Sequence, residues 1–278
     1  MSGRFLHIWR NTPMGREVLE ASASFCEATG LELHVYVPRH PQFLMYFGDD
    51  VVTVPLDGEF LHAPETAEAH AEAVLARHPG LSWRFTTPVS FTASTLPDLP
   101  VDWNAMCCPR SLSDLSARIG LGTIGPRVRR IVRHATFPVL LPQPVFRPWK
   151  RVLAMVGPTE SSLRVARVAR TVARTAGRPL ELFTFADGRR PGEVERWFAD
   201  HGLPGLRQEA SSWHLAEGDD FLDALFPVPG DALVVLGAYG RRLVRELLLG
   251  TVAEKVQEAL PNPLLLVGPR VDDEALAP

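Results

Sequence analysis

The chain has 278 residues, of which 46% are hydrophobic and 22% charged, with a formal charge of −3. The length suits two units of about 140 residues each, and the composition excludes an intrinsically disordered chain. A balance this close to neutral gives no general pull toward nucleic acid or anionic membranes, so neither is expected as a partner.

The first residues, Met1 to Arg10, lack the long apolar core and cleavage site of a signal peptide. No later run approaches the roughly 18 apolar residues of a membrane span, so the expected setting is cytoplasmic. Phe5–Trp9 reads as a short strand. Asn11-Thr12-Pro13 breaks it, and a helix runs from about Gly15 to Thr29, closed by Gly30. Leu31–Val37 is the next strand. Phe43–Leu56 is apolar but carries no assignable period. Pro64–His78 reads as a helix, whereas the prolines of Thr95–Pro100 make a regular helix improbable there. After Gly125 comes a helix, then Pro138 and a short apolar strand at Val139–Leu141. The three cysteines, Cys26, Cys107 and Cys108, show no C-x-x-C spacing. Reduced, buried thiols are expected, with no disulfide framework and no metal site.

Pro142, Pro144 and Pro148 stiffen the segment that follows, which marks a boundary between units 1–144 and 145–278. The second unit then repeats the order of the first. Arg151–Val156 reads as a buried strand, broken by Gly157-Pro158. Ser161 or Ser162 is expected to cap a helix reaching about Ala176, which Gly177 ends. Leu180–Phe185 is a strand and Pro191–His201 a helix. Leu206–Leu215 reads as a strand, Asp219–Phe226 as a short helix and Asp231–Leu236 as an apolar strand. A helix after Gly250 leads to Pro263 and the strand Leu264–Val267, with the same glycine-to-proline spacing as Gly125 and Pro138. This is an internal duplication. Strands alternating with helices predict an α/β fold of two tandem doubly wound parallel-sheet domains.

The informative segment begins where Asp231–Leu236 runs into Gly237. Gly240 follows, and nine residues later Gly250-Thr251 opens a helix. Ligands of open parallel sheets bind beyond the carboxyl ends of the strands. Glycines there let backbone N–H groups approach an anion without an intervening Cβ. A helix start adds free N–H groups and a positive dipole end, and the Thr251 hydroxyl adds a donor. Thr251-Val252-Ala253-Glu254 also reads as a capping box. Arg241 and Arg242 can neutralise phosphates, or simply be solvated. Arg164, Arg167, Arg170 and Arg174 read as the solvent face of a helix, as do Arg127, Arg129, Arg130 and Arg133.

This segment resembles the nucleotide motif G-x2-G-x9-G-[ST] of the universal stress protein family, met by Gly237, Gly240, Gly250 and Thr251. The flanks Leu247–Val256 and Pro261–Val267 are similar too, as is Val132–Leu140 of the first half. The resemblance implies a tandem member with a universal stress protein-like, HUP-type fold, its halves meeting at Val139–Leu141 and Leu264–Val267. It implies binding of ATP or another adenine nucleotide, with magnesium, by the second half. The implied contacts are Gly237, Ala238, Gly240, Arg241, Gly250, Thr251 and Val252, with Val156, Gly157 and Thr159 bordering base and ribose. Val156 stands where nucleotide-binding members carry an aspartate. In the first half Pro126 replaces the threonine, and Leu112 and Leu115 replace the earlier glycines, so that half is not expected to bind nucleotide in this way. No general base or nucleophile is legible, so the reading is a stress-response regulator and not an enzyme, slow ATP hydrolysis aside. A homodimer and an unidentified protein partner complete it. The alternatives are a nucleotide-free dimerisation or partner-binding module, and an enzyme that activates a substrate with ATP.

Overall fold

A computed structural model of the chain describes residues 3–48, 50–56, 64–88, 91, 96–109, 124–185, 190–217, 220–239, 251–272 and 275–276. The first half holds β1 (Arg4–Ile8), α1 (Pro13–Thr29), β2 (Glu32–Tyr36), β3 (Gln42–Phe47), β4 (Asp50–Pro55), α2 (Pro64–Leu75), β5 (Trp83–Thr86), β6 (Asp98–Leu99), β7 (Ala105–Cys107), α3 (Pro126–His134) and β8 (Val139–Leu141). The second holds β9 (Arg151–Met155), α4 (Glu160–Thr175), β10 (Leu180–Phe185), α5 (Pro191–Asp200), α6 (Leu206–Glu209), β11 (Ser212–Ala216), α7 (Phe221–Ala224), β12 (Ala232–Gly237), α8 (Thr251–Ala259) and β13 (Leu264–Val267).

Ten of these strands form one sheet, in the order β11-β10-β9-β12-β13-β8-β7-β1-β2-β5. Every neighbouring pair is parallel except β8 with β13. Counted within its own half, each set runs third, second, first, fourth, fifth, so the duplication expected from the sequence is present in the topology. The halves meet where expected: Leu264 faces Leu141, Leu265 faces Leu140 and Leu266 faces Val139. These six side chains are buried, and burying each leucine contributes roughly 1.5–3 kcal/mol.

Side chains alternate across the sheet into two cores. One collects Phe5, Cys107, Leu140 and Leu265 under α1 and α4; the other collects Leu6, Cys108, Val139 and Leu266 under α3 and α8. Cys107 and Cys108 therefore point to opposite faces. The three cysteines are free and buried, and burial pushes the Cys107 thiol up to about 12.

Three details differ from the sequence reading or complete it. The unassigned stretch Phe43–Leu56 is an antiparallel hairpin, β3 with β4, and β3 also takes β6 alongside to make a separate three-stranded sheet. Helix α4 is capped by Thr159 and not by Ser161 or Ser162. Thr159 has extended backbone and its hydroxyl accepts the Ser162 N–H. The strand expected over Leu206–Leu215 splits: Leu206–Glu209 is a helical turn closed by Ala210 N–H on the Leu206 carbonyl. The strand begins only after Ser211 N–H reaches the Leu180 carbonyl.

Candidate functional site

In each half the strand order reverses between the first and fourth strands, which leaves a crevice beyond their carboxyl ends. In the second half these strands are β9 and β12, paired with Met155 beside Leu236. Val156–Gly157 and Gly237–Ala238 thus leave the sheet side by side. Val156 is pinned at both backbone groups. Its N–H donates to the Phe183 carbonyl at 2.9 Å, and its carbonyl accepts the Thr184 hydroxyl at 2.8 Å.

The turn after β9 is held by hydroxyls. Gly157 N–H donates to Ser162 Oγ at 3.0 Å, and Thr159 Oγ1 lies 2.9 Å from Ser162 Oγ and 3.0 Å from Ser161 Oγ. Ala238 N–H donates to the Val267 carbonyl at 3.0 Å. The amides of Gly157 and Ala238 are therefore engaged internally. What Gly157 offers is room: a Cβ added to it meets nothing within 4 Å. A Cβ on Gly237 would stand 3.6 Å from Val165 Cγ2, an ordinary contact with α4.

Thr251 is the first residue of α8, and Val252 beside it is exposed. Gly240, Arg241 and Gly250 lie outside the described residues, as does the side chain of Thr251. The structure thus brings Val156, Gly157, Thr159, Gly237 and Ala238 to one crevice. Among the described residues no group of three or more His, Cys, Asp or Glu side chains could hold a metal ion, and no helix is long and apolar enough to cross a membrane.

Both arms of the motif are tied to the first half through Arg129 of α3, which the sequence assigned to a solvent face. The Tyr239 hydroxyl, between Gly237 and Gly240, donates to the Arg129 carbonyl at 2.7 Å. Burial pushes the Tyr239 phenol up to about 12, so it remains a donor at neutral pH. The Arg129 guanidinium meets Glu254 Oε1, in the first turn of α8, at 2.6 Å and also donates through Nε to the Ile124 carbonyl at 2.6 Å. Glu254, read as part of a capping box, spends this oxygen on Arg129. No local pattern announces these contacts; they follow from the β8–β13 junction.

The first-half crevice, between β1 and β7, holds a small cavity lined by His7, Arg10, Met14, Gly15 and Pro109. Trp9 occupies the place of Val156, donating from its N–H to the Tyr36 carbonyl at 2.8 Å as Val156 does to Phe183. Its side chain is 1% exposed, and its indole N–H finds no partner among the described residues. The turn is tight: a Cβ on Gly15 would sit 1.7 Å from the Arg10 carbonyl oxygen.

Fold and crevice together define the class: this is an α/β protein with the tandem universal stress protein fold. In particular, it is similar in shape to a universal stress protein from Archaeoglobus fulgidus DSM 4304, with a TM-score of 0.59 and 16% identity, over 99% of this chain and 98% of that one. A universal stress protein from Pseudomonas aeruginosa UCBPP-PA14, titled putative, gives a TM-score of 0.56 and 16% identity over 99% and 95%. The cytoplasmic domain of a prokaryotic cation chloride cotransporter gives 0.53 and 12% identity over 100% and 99%. No known family pattern and no curated protein matches the sequence. At such identities the likeness establishes the fold.

Proposed function

We propose that the chain divides into units 1–144 and 145–278, and that the second binds ATP or another adenine nucleotide as a cytoplasmic regulator. The observation that carries this reading is the difference between two equivalent strand ends: the first half has Trp9, whereas the second has the smaller Val156, followed by Gly157 with open space around it. That second strand end adjoins Gly237, where the G-x2-G-x9-G-T motif begins.

On this reading the amides of Gly237 and Gly240 donate to phosphate oxygens. Gly250 and Thr251 present the positive start of α8 to the same anion, and Arg241 neutralises the remaining charge together with magnesium. Val156, Gly157, Thr159, Ala238 and Val252 serve as walls, because the Gly157 and Ala238 amides are already engaged. Val156 meets the base by apolar contact and offers it no side-chain acceptor. Occupancy acts by favouring one of two states of the protein or of its complexes, including a homodimer or a protein partner. No side chain is assigned to catalysis.

A second reading, a nucleotide-free partner-binding module, is favoured by the internal engagement of those two amides and by the valine at 156. Titration calorimetry of the protein with ATP and magnesium separates the two. The nucleotide reading expects saturable heats that a Gly240→Asp, Gly250→Asp variant loses. Equal heats from both proteins would contradict the proposed phosphate site, and no heat from either would leave the partner-binding module standing.

A further inference from the structure

A second cavity opens on the carboxyl edge of the first half, beyond β2 and β5. Tyr36 ends β2 and Phe85 lies near the end of β5; both line it, together with Arg39, His40, Glu68 and Phe91. The accessory hairpin packs behind Tyr36, with the Phe43 ring edge-on at 5.8 Å between centroids. Tyr36 is 2% exposed and lines the cavity. Burial pushes this phenol up to about 12, so it is a standing donor.

The opposite side of the cavity is aromatic. Phe91 remains 52% exposed although it belongs to the cavity wall, and the His40 ring stands edge-on to it at 6.0 Å. At the mouth Arg39 makes a single contact to Glu68, 3.3 Å long, with the two side chains 63% and 33% exposed. Such a bridge contributes little and opens easily.

We propose that this cavity binds a small aromatic zwitterion of the α-amino acid type. Its ring covers Phe91 and His40, its carboxylate takes Arg39 and the Tyr36 hydroxyl, and its ammonium takes Glu68. The pair at the mouth selects both charges. A ligand with only a carboxylate faces Glu68, and a ligand with only an amine faces Arg39. A zwitterion exchanges one weak bridge for charge-assisted hydrogen bonds on each side while burying the open face of Phe91. The site is separate from the second-half crevice and independent of the nucleotide reading.

The test is calorimetric or NMR titration of the full chain with L-phenylalanine, with phenylacetate and phenethylamine as single-charge controls. Saturable binding of L-phenylalanine with a Kd of about 1 mM or tighter is expected, and both controls should bind at least about tenfold more weakly. Arg39→Ala and Glu68→Ala, at an exposed and a half-buried position, should each raise the Kd by about tenfold, and Tyr36→Phe, which keeps the ring, by several-fold. No saturation by about 10 mM, phenylacetate binding as tightly as phenylalanine, or an unchanged Kd in Arg39→Ala would each overturn the proposal.

Discussion

The two halves share a strand order and differ in what stands at its reversal. Trp9 and Val156 leave their sheets through the same backbone bond to the neighbouring strand. One carries a buried indole, and the other an aliphatic group followed by a glycine with open space around it. Two positions earlier, His7 stands where the second half has Ala154. Duplicated topology supplies two places where a ligand could sit, and the side chains at the strand ends set how much room each leaves.

The sharpest way to break this comparison is to add one methyl group to each turn. Gly15→Ala forces a Cβ onto the Arg10 carbonyl, so urea denaturation should show a loss of at least about 3 kcal/mol. Gly157→Ala meets open space and should change stability by less than about 0.5 kcal/mol. Equal losses would mean that Gly157 is as closely packed as Gly15.

Next in size is the tie between the halves. Arg129→Ala leaves Glu254 without its partner at the start of α8, and a loss of about 2 kcal/mol is expected in the same measurement. A negligible loss would mean that the motif is held by its own half alone.

The first half should also carry a pH signature that the second lacks. His7 is buried, its Nδ1 donates to Ser22 Oγ at 2.9 Å, and the Ser22 hydroxyl donates onward to the Val18 carbonyl. Burial lowers its pKa from 6.5 to about 3. The groups around it are the paired Cys107 across the strand, whose thiol is pushed up to about 12 and stays neutral, and Arg10 on the following turn. The folded state therefore refuses a proton that the unfolded chain accepts below pH 6.5. Stability is complete above that value and falls with pH toward about 3. Between pH 6.5 and pH 5 the loss is about 2 kcal/mol. His7→Ala, which copies Ala154, should remove that part of the pH dependence. An unchanged slope would place the titration elsewhere.

Much of the fold was legible from local pattern. Apolar runs bounded by Gly or Pro marked β9, β10, β12 and β13, and their repeated order marked the duplication. The helix cap was misplaced because Thr159, Ser161 and Ser162 all carry hydroxyls. Only the extended backbone of Thr159 aims one at an N–H of the first turn, while Ser162 Oγ turns back to Gly157. The hairpin of β3 and β4 escaped because its pairing rests on packing with β6, which is distant in sequence. For the candidate site, the motif glycines and Val156 were legible as residue types. The burial of Trp9 at the equivalent strand end was not, since burial at a strand end has no local pattern. Nor was the clasp of Arg129 on Tyr239 and Glu254, which exists only once β8 lies against β13.

The most direct measurement is an amide-resolved NMR titration with ATP and magnesium, read at both crevices. The account predicts saturable shifts at Gly157, Gly237 and Thr251, with the Trp9 indole unmoved. Shifts centred on Trp9, or no saturable shift at the three second-half residues, would contradict it.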